Sequence, residues 1–225
     1  MRRPVRAVVF DLDGTLVDSW RTHAHCLRFA AAAVGVGRPS AVRLFGAQRP
    51  TETGTLRELV GPDQLVPARQ AYEEALRAAL ATDPVSPMPG AVAVLAGLRR
   101  HGVAAGVCTG RSRLTAQALL DSCGLAVPLT VASDDVARPK PEPDALVLAL
   151  ARLSVDAPDA VFVGDSAWDA AQGTAAGVRT VVVGASGPPA ALGEGAWLLD
   201  PLPLPEESAE RGGARAGRAP LRGER

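Results

Sequence analysis

Lysine is nearly absent from this chain: of its 24 basic residues only Lys140 is a lysine, and asparagine and isoleucine do not occur at all. Alanine, glycine, proline and arginine abound instead, the pattern of a GC-rich coding sequence. Under such a bias arginine replaces lysine wherever solvent accepts either. A solitary lysine therefore points to a place where a planar guanidinium cannot stand in for a compact ammonium. Cysteine is scarce too. Cys26, Cys108 and Cys123 are scattered and odd in number, with no CxxC pair and no histidine at zinc spacing, and they read as reduced, partly buried thiols. Long apolar runs are missing: the Ala/Val-rich stretch from Phe29 to Val36 falls well short of the roughly 18 residues that span a bilayer. The run from Ala7 to Phe10 behind Arg2 and Arg3 is stopped by Asp11, too early for a signal peptide. A cytoplasmic location is the expectation. Excess charge of either sign is also lacking, with 24 acidic residues against 24 basic, so no electrostatic footprint for nucleic acid is present.

What remains is a chain of 225 residues, 47% hydrophobic and 21% charged, with apolar material for a sizeable core. The length suits one domain carrying an insertion better than two equal domains. Short, continuously apolar runs recur at Val5 to Phe10, Val103 to Val107, Leu129 to Ala132, Ala160 to Val163 and Thr180 to Val183. Such runs predict buried strands of a parallel sheet. Helical spacing of leucine and valine lies between them at Ala91 to Arg100, Leu114 to Cys123, Glu142 to Leu153 and Ala167 to Ala176. The alternation predicts an α/β fold, a doubly wound parallel sheet with functional groups at the carboxyl ends of its strands. Residues from Leu16 to Met88 break the rhythm, with helical patterns at Ser19 to Val34, Pro50 to Val60 and Pro67 to Leu80 and no convincing strand. The expected organisation is a core from residues 1–15 and 88–204, an inserted α-helical cap over 16–87, and a disordered tail over 205–225.

Four strand ends carry chemistry. The first strand runs into Asp11-Leu12-Asp13-Gly14-Thr15, where Asp11 and Asp13 point the same way if the extended conformation persists. Two carboxylates at the end of a buried strand repel and resist desolvation unless a cation joins them, which implies a divalent metal, although a bare pair of this kind also fits a solvated acidic turn. Thr109-Gly110-Arg111-Ser112 follows the second strand and places a hydroxyl and backbone N–H groups where an anion can bind. Lys140 lies between Pro139 and Pro141, suited to holding a cation on an oxyanion. Gly164-Asp165-Ser166-Ala167-Trp168-Asp169 again sets acids directly after an apolar strand.

In this order the motifs resemble those of the haloacid dehalogenase-like (HAD) superfamily, in its phosphoglycolate-phosphatase-like branch with a helical cap. The resemblance spans about residues 5 to 185, through the Asp11 to Thr15 motif, Thr109, Lys140, and Gly164-Asp165-Ser166 with Asp169. It implies a Rossmann-like core and hydrolysis of a small phosphomonoester, phosphoglycolate or a sugar phosphate, through an aspartyl phosphate. Asp11 is then the nucleophile and Asp13 the general acid and base. Lys140 and Thr109 bind phosphate oxygens, and Mg²⁺ is held by Asp11, the Asp13 carbonyl and Asp165, with Asp169 completing the metal site or pairing with Lys140. Gly110, Arg111, His23 and Arg49 are candidate substrate contacts. Pro139, where relatives often carry glycine, and the bulky Trp168 depart from the family pattern without removing a functional group.

A phosphomutase resembling β-phosphoglucomutase is the alternative, since His23, Gly46 and Arg49 look like that enzyme's cap. The Gly-Asp-Ser start of the fourth motif favours the hydrolase. A dehalogenase is disfavoured because a halide leaving group needs no proton and Asp13 supplies one. A non-catalytic binding protein on this scaffold would be expected to lose at least one of Asp11, Asp13, Lys140 and Asp165. No membrane or nucleic-acid partner is expected, and the oligomeric state is not legible.

Overall fold

The structure, a computed structural model, describes residues 4–184 and 196–199; the tail over 205–225 lies outside them. The chain opens with β1 (Ala7–Phe10), all four residues buried, and then a two-residue strand, β2 (Val17–Asp18). Four helices follow: α1 (Trp20–Ala33), α2 (Ala41–Gly46), α3 (Glu52–Val60) and α4 (Leu65–Thr82). The chain returns through β3 (Ser86–Pro87), which pairs antiparallel with β2. Thereafter strand and helix alternate: α5 (Ala91–Arg100), β4 (Ala104–Cys108), α6 (Arg113–Ser122), β5 (Thr130–Val131), α7 (Asp144–Leu153), β6 (Ala160–Gly164), α8 (Ala167–Ala175), β7 (Arg179–Val183) and β8 (Ala196–Leu199).

The main sheet has the order β5-β4-β1-β6-β7-β8 and is parallel throughout. Its centre is β1, flanked by β4 and β6, so the chain reverses winding direction there and a crevice opens at the strand ends. The period of two divides β1 between two apolar layers. Ala7 and Val9 pack with Leu146, Ala149 and Leu150 of α7 on one face. Val8 and Phe10 face the other side and join a core continuous with Leu27, Leu56 and Tyr72 of the inserted helices.

Three features depart from the sequence reading, one of them β8, a sixth parallel strand pairing with β7 where no strand was expected. The β2–β3 pair stands where no strand was expected, because two residues on each side are too few to show a period and Pro84, Pro87 and Pro89 crowd one of them. Helix α2 was also unforeseen. It has six residues and exposes Val42 and Phe45, so it carries no amphipathic pattern, and what sets it is the Ser40 hydroxyl, which accepts the Arg43 N–H at its first turn.

Candidate active site

Parallel pairing assembles the site. Phe10 of β1 lies beside Val163 of β6, and the Asp11 N–H donates to the Val163 carbonyl at 2.7 Å, which brings Asp11 next to the turn carrying Asp165. Between them runs Gly14 with φ of +71°. The positive φ favours glycine, and a Cβ at that position would fall 2.1 Å from Asp165 Oδ2 and displace that carboxylate. At the end of β6 a Cβ on Gly164 would lie 2.4 Å from Asp169 Cγ, so this glycine lets α8 bring its carboxylate against the sheet.

Lys140 Nζ donates to Asp11 Oδ1 at 2.5 Å and to Asp169 Oδ1 at 2.6 Å, and lies 5.4 Å from the centre of the Phe162 ring. The lone lysine is buried and bridges two acids from different strand ends, a job for a compact cation. Asp169 is held in turn by Ser166: the Ser166 hydroxyl and N–H donate to Asp169 Oδ2 at 2.5 and 3.1 Å, and the Asp169 N–H donates back to that hydroxyl, a capping box at the start of α8.

Carboxylate oxygens of Asp11, Asp165 and Asp169 all lie within 4.8 Å of one another. Burial, joined by the charges of Asp169, Asp13 and Asp165, pushes Asp11 up to about 8 despite the opposing ammonium of Lys140. Burial together with Asp169 and Asp13 lifts Asp165 to about 6. Lys140, although burial works against its charge, is held above the ordinary lysine range by Asp11 and Asp169. One ammonium among these acids leaves surplus negative charge on hard oxygen donors, a set that suits Mg²⁺.

Asp13 faces different partners. Arg111 grips it with a two-pronged fork, Nε to Oδ2 at 2.8 Å and Nη2 to Oδ1 at 2.7 Å, and the Ser19 hydroxyl also donates to Oδ1. Burial alone would raise this carboxyl, but Arg111 outweighs it and holds Asp13 down at about 2. The third nitrogen of Arg111, Nη1, meets Glu52 Oε2 at 3.2 Å, the Tyr72 hydroxyl at 2.6 Å and His23 Nδ1 at 2.7 Å. Burial and the adjacent guanidinium hold His23 well below its ordinary value, which suits a neutral ring accepting at Nδ1. Thr109 is buried at the end of β4, and its hydroxyl accepts the Arg111 N–H at 3.2 Å. The Gly110 carbonyl accepts the Glu52 N–H at 3.0 Å, and a Cβ on Gly110 would stand 2.0 Å from the Pro50 carbonyl oxygen.

A cavity of about 330 Å³ opens over these groups, lined from the sheet side by Asp11, Lys140 and Asp165 and from the helical side by Trp20 and Arg49. Arg49 sits there with its guanidinium paired to Glu58 at 2.9 Å and donating to the Gly46 and Gln48 carbonyls. The structure thus brings Asp11, Lys140, Asp165 and Asp169 into one cluster and Asp13, Arg111 and His23 into a second that adjoins it. Sequence reasoning missed Glu52, Tyr72, Ser19 and the part played by Ser166. Glu52 follows the capping Thr51 and reads as an ordinary acid in a first helical turn, and Tyr72 reads as packing; their one signal is that Tyr72 is the sole tyrosine of the chain.

The sequence matches the haloacid dehalogenase-like hydrolase family over residues 5–177, and the chain belongs to that family of hydrolases. Among its relatives, the phosphoglycolate phosphatase of Rhodospirillum rubrum is 36% identical, the alignment covering 93% of this chain and 95% of that protein. The plasmid-borne phosphoglycolate phosphatase of Cupriavidus necator is also 36% identical, over 88% of this chain and 90% of the relative. The crystal structure of CbbY from Rhodobacter sphaeroides in complex with phosphate superposes with a TM-score of 0.72 at 26% identity, covering 80% of this chain and 86% of the other. Among the described residues no helix is long and apolar enough to cross a membrane.

Proposed function

We propose that the chain is a phosphatase that hydrolyses a small phosphomonoester through an aspartyl phosphate on Asp11, with Mg²⁺ as its metal. The observation that carries this reading is the Lys140 ammonium bridging Asp11 and Asp169 at 2.5 and 2.6 Å beside the Asp165 carboxylate. Two phosphoglycolate phosphatases at 36% identity support the same chemistry and make phosphoglycolate the first substrate to test.

Asp11 attacks phosphorus as the nucleophile. A carboxylate is a weak one, so it needs a phosphoryl group whose oxygens are already neutralised and aimed. Lys140 supplies one such charge, and Thr109 with the amides after it supplies hydrogen-bond donors at the end of β4. Asp11, Asp165 and Asp169, with the Asp13 backbone carbonyl, are the groups that would hold Mg²⁺, which when bound withdraws charge from the phosphoryl oxygens. Asp13 serves as the acid and base: as the carboxylate that Arg111 stabilises it can take a proton from the water that hydrolyses the acyl phosphate, and to protonate the leaving alcohol it must first bind a proton and leave the Arg111 fork. The helices from residue 16 to 87 act as a cap that excludes bulk water. On their side Arg49 lines the cavity and would reach the substrate by exchanging its present partners, Glu58 and the Gly46 and Gln48 carbonyls, with the Gly110 amide opposite. Arg111, whose three side-chain nitrogens meet protein partners, shapes the wall, and His23, held at Nδ1 by Arg111 and Tyr72, lines it.

A panel of small phosphomonoesters assayed for phosphate release, with Mg²⁺ and again with EDTA, tests this reading. Metal-dependent release with a preference for phosphoglycolate or a sugar phosphate is expected. Isomerisation of a sugar phosphate with little release would identify a mutase instead.

A further inference from the structure

A buried amide fastens the segment that carries Lys140 to the helix that holds its ammonium. Gln172 lies on α8 three residues after Asp169 and is fully buried, at 0% exposure. Its Nε2 donates to the Glu142 carbonyl at 2.8 Å, and its Oε1 accepts from Cys108 Sγ at 3.5 Å. Glu142 stands two residues after Lys140, and Cys108 is the last residue of β4, directly before Thr109. One side chain therefore meets both segments that carry the proposed phosphoryl-oxygen contacts. Because the Glu142 carbonyl can only accept, the amide must turn its nitrogen there and leave its oxygen for the thiol. Burying an amide is unfavourable unless its donor and acceptor are paired, and methionine or leucine would fill a similar space without that demand.

Resting on the reading of Lys140 as the cation on a phosphoryl oxygen, we propose that Gln172 is a positioning residue for Lys140. Pro139, Pro141 and Pro143 carry no N–H, and the Glu142 N–H is spent on the Pro139 carbonyl at 3.1 Å, so few donors remain to fasten this segment to its neighbours. Gln172 supplies a donor from outside. A lysine head sits on a flexible four-carbon stem and is only as well placed as the backbone that carries it. Helix α8 fixes Lys140 twice, at the ammonium through Asp169 and at the backbone two residues on through Gln172. The two residues share one face of that helix, so both ties come from a single rigid element. The second tie matters when Asp11 turns from the ammonium to phosphorus, because the cation then keeps its place without reorganisation.

The test asks whether the amide acts through the lysine. Gln172→Met fills a similar volume and removes the amide; it is made alone and together with Lys140→Met. Gln172→Leu and Lys140→Arg stand in for either variant that does not fold. Single-turnover hydrolysis of the phosphomonoester selected by the panel, with saturating Mg²⁺, gives the rate of each protein, and a titration with inorganic phosphate compares Gln172→Met with the parent. Alone, Gln172→Met is expected to slow the reaction about 30-fold, the order of loss that a small misplacement brings. It should also bind phosphate about tenfold more weakly, the worth of one charge-assisted hydrogen bond. On the Lys140→Met background the same change should slow the reaction by less than about twofold, since the group it positions is gone. Equal slowing on both backgrounds would mark a merely structural amide and overturn the proposal, as would a parental phosphate affinity. Lys140→Met by itself is the reference. If it is slowed while Gln172→Met is not, positioning by Gln172 is wrong and the role of Lys140 stands; if it is not slowed, the reading of Lys140 falls and the proposal with it.

Discussion

Lys140 and Gly14 show how single positions are dictated by the site. Lys140 works between two carboxylates at 2.5 and 2.6 Å, a place that suits a compact ammonium better than a planar fork, which accounts for its survival as the only lysine in an arginine-rich chain. Gly14 is fixed by a positive φ and by Asp165 Oδ2, 2.1 Å from where a Cβ would stand. Gly14→Ala is expected to cost about 1–3 kcal/mol and to push Asp165 aside. Thermal unfolding should show the loss, and titration of activity with Mg²⁺ should show a higher half-saturating concentration. Unchanged metal dependence would place Asp165 outside the metal site. At this scale the residues that converge were largely legible, because Asp11, Thr109 and Asp165 follow directly after apolar strands and Lys140 is the only lysine. Glu52 was not, since its burial arises from helices packing together and nothing local in Thr51-Glu52-Thr53 announces it.

Helix α8 illustrates how an element's own stabilising device becomes part of the chemistry. Its capping box uses Ser166 at the N-cap and Asp169 three residues on, the ordinary way to satisfy a first turn. The same Asp169 turns its other oxygen to Lys140. Ser166→Ala is therefore expected to destabilise the protein by about 0.5–2 kcal/mol, the usual worth of an N-cap hydroxyl, and to lower kcat because Asp169 loses its anchor. A fall in Tm without a fall in kcat would separate the two roles. The long elements were legible in the sequence, with α5 read at Ala91–Arg100 as observed and α8 read one residue too long. Elements set by few residues and without an apolar run were not: β2 and β3 hold their places by pairing Val17 with Pro87 and Asp18 with Ser86 rather than by any pattern of their own, whereas β5 (Thr130–Val131) falls inside the predicted run Leu129 to Ala132.

For the molecule as a whole, the proposed Mg²⁺ would compete with protons for the same acids. Asp11 is pushed up to about 8 in the folded protein from an ordinary value of 3.8, so its protonated form favours folding, and that stability is lost as pH rises through about 8. His23 acts in the opposite sense. Its depressed value contributes stability that is present above the ordinary value of 6.5 and lost as pH falls below it. Between pH 6.5 and 8 the slope consequently belongs mainly to Asp11. In EDTA the Tm is expected to fall across that window, and saturating Mg²⁺ should raise Tm more at pH 8 than at pH 6.5, because the ion binds the deprotonated acids. An equal shift at both values would argue against Asp11 as a ligand.

The most direct measurement of the central claim is a rapid acid quench of the Mg²⁺-loaded enzyme mixed with a ³²P-labelled phosphomonoester that it hydrolyses, followed by peptide mapping. The account requires a covalent, base-labile phosphate on Asp11 that forms within the first turnover and decays as phosphate appears. Hydrolysis proceeding at its full rate with no labelled protein, or with the label on any other residue, would contradict it.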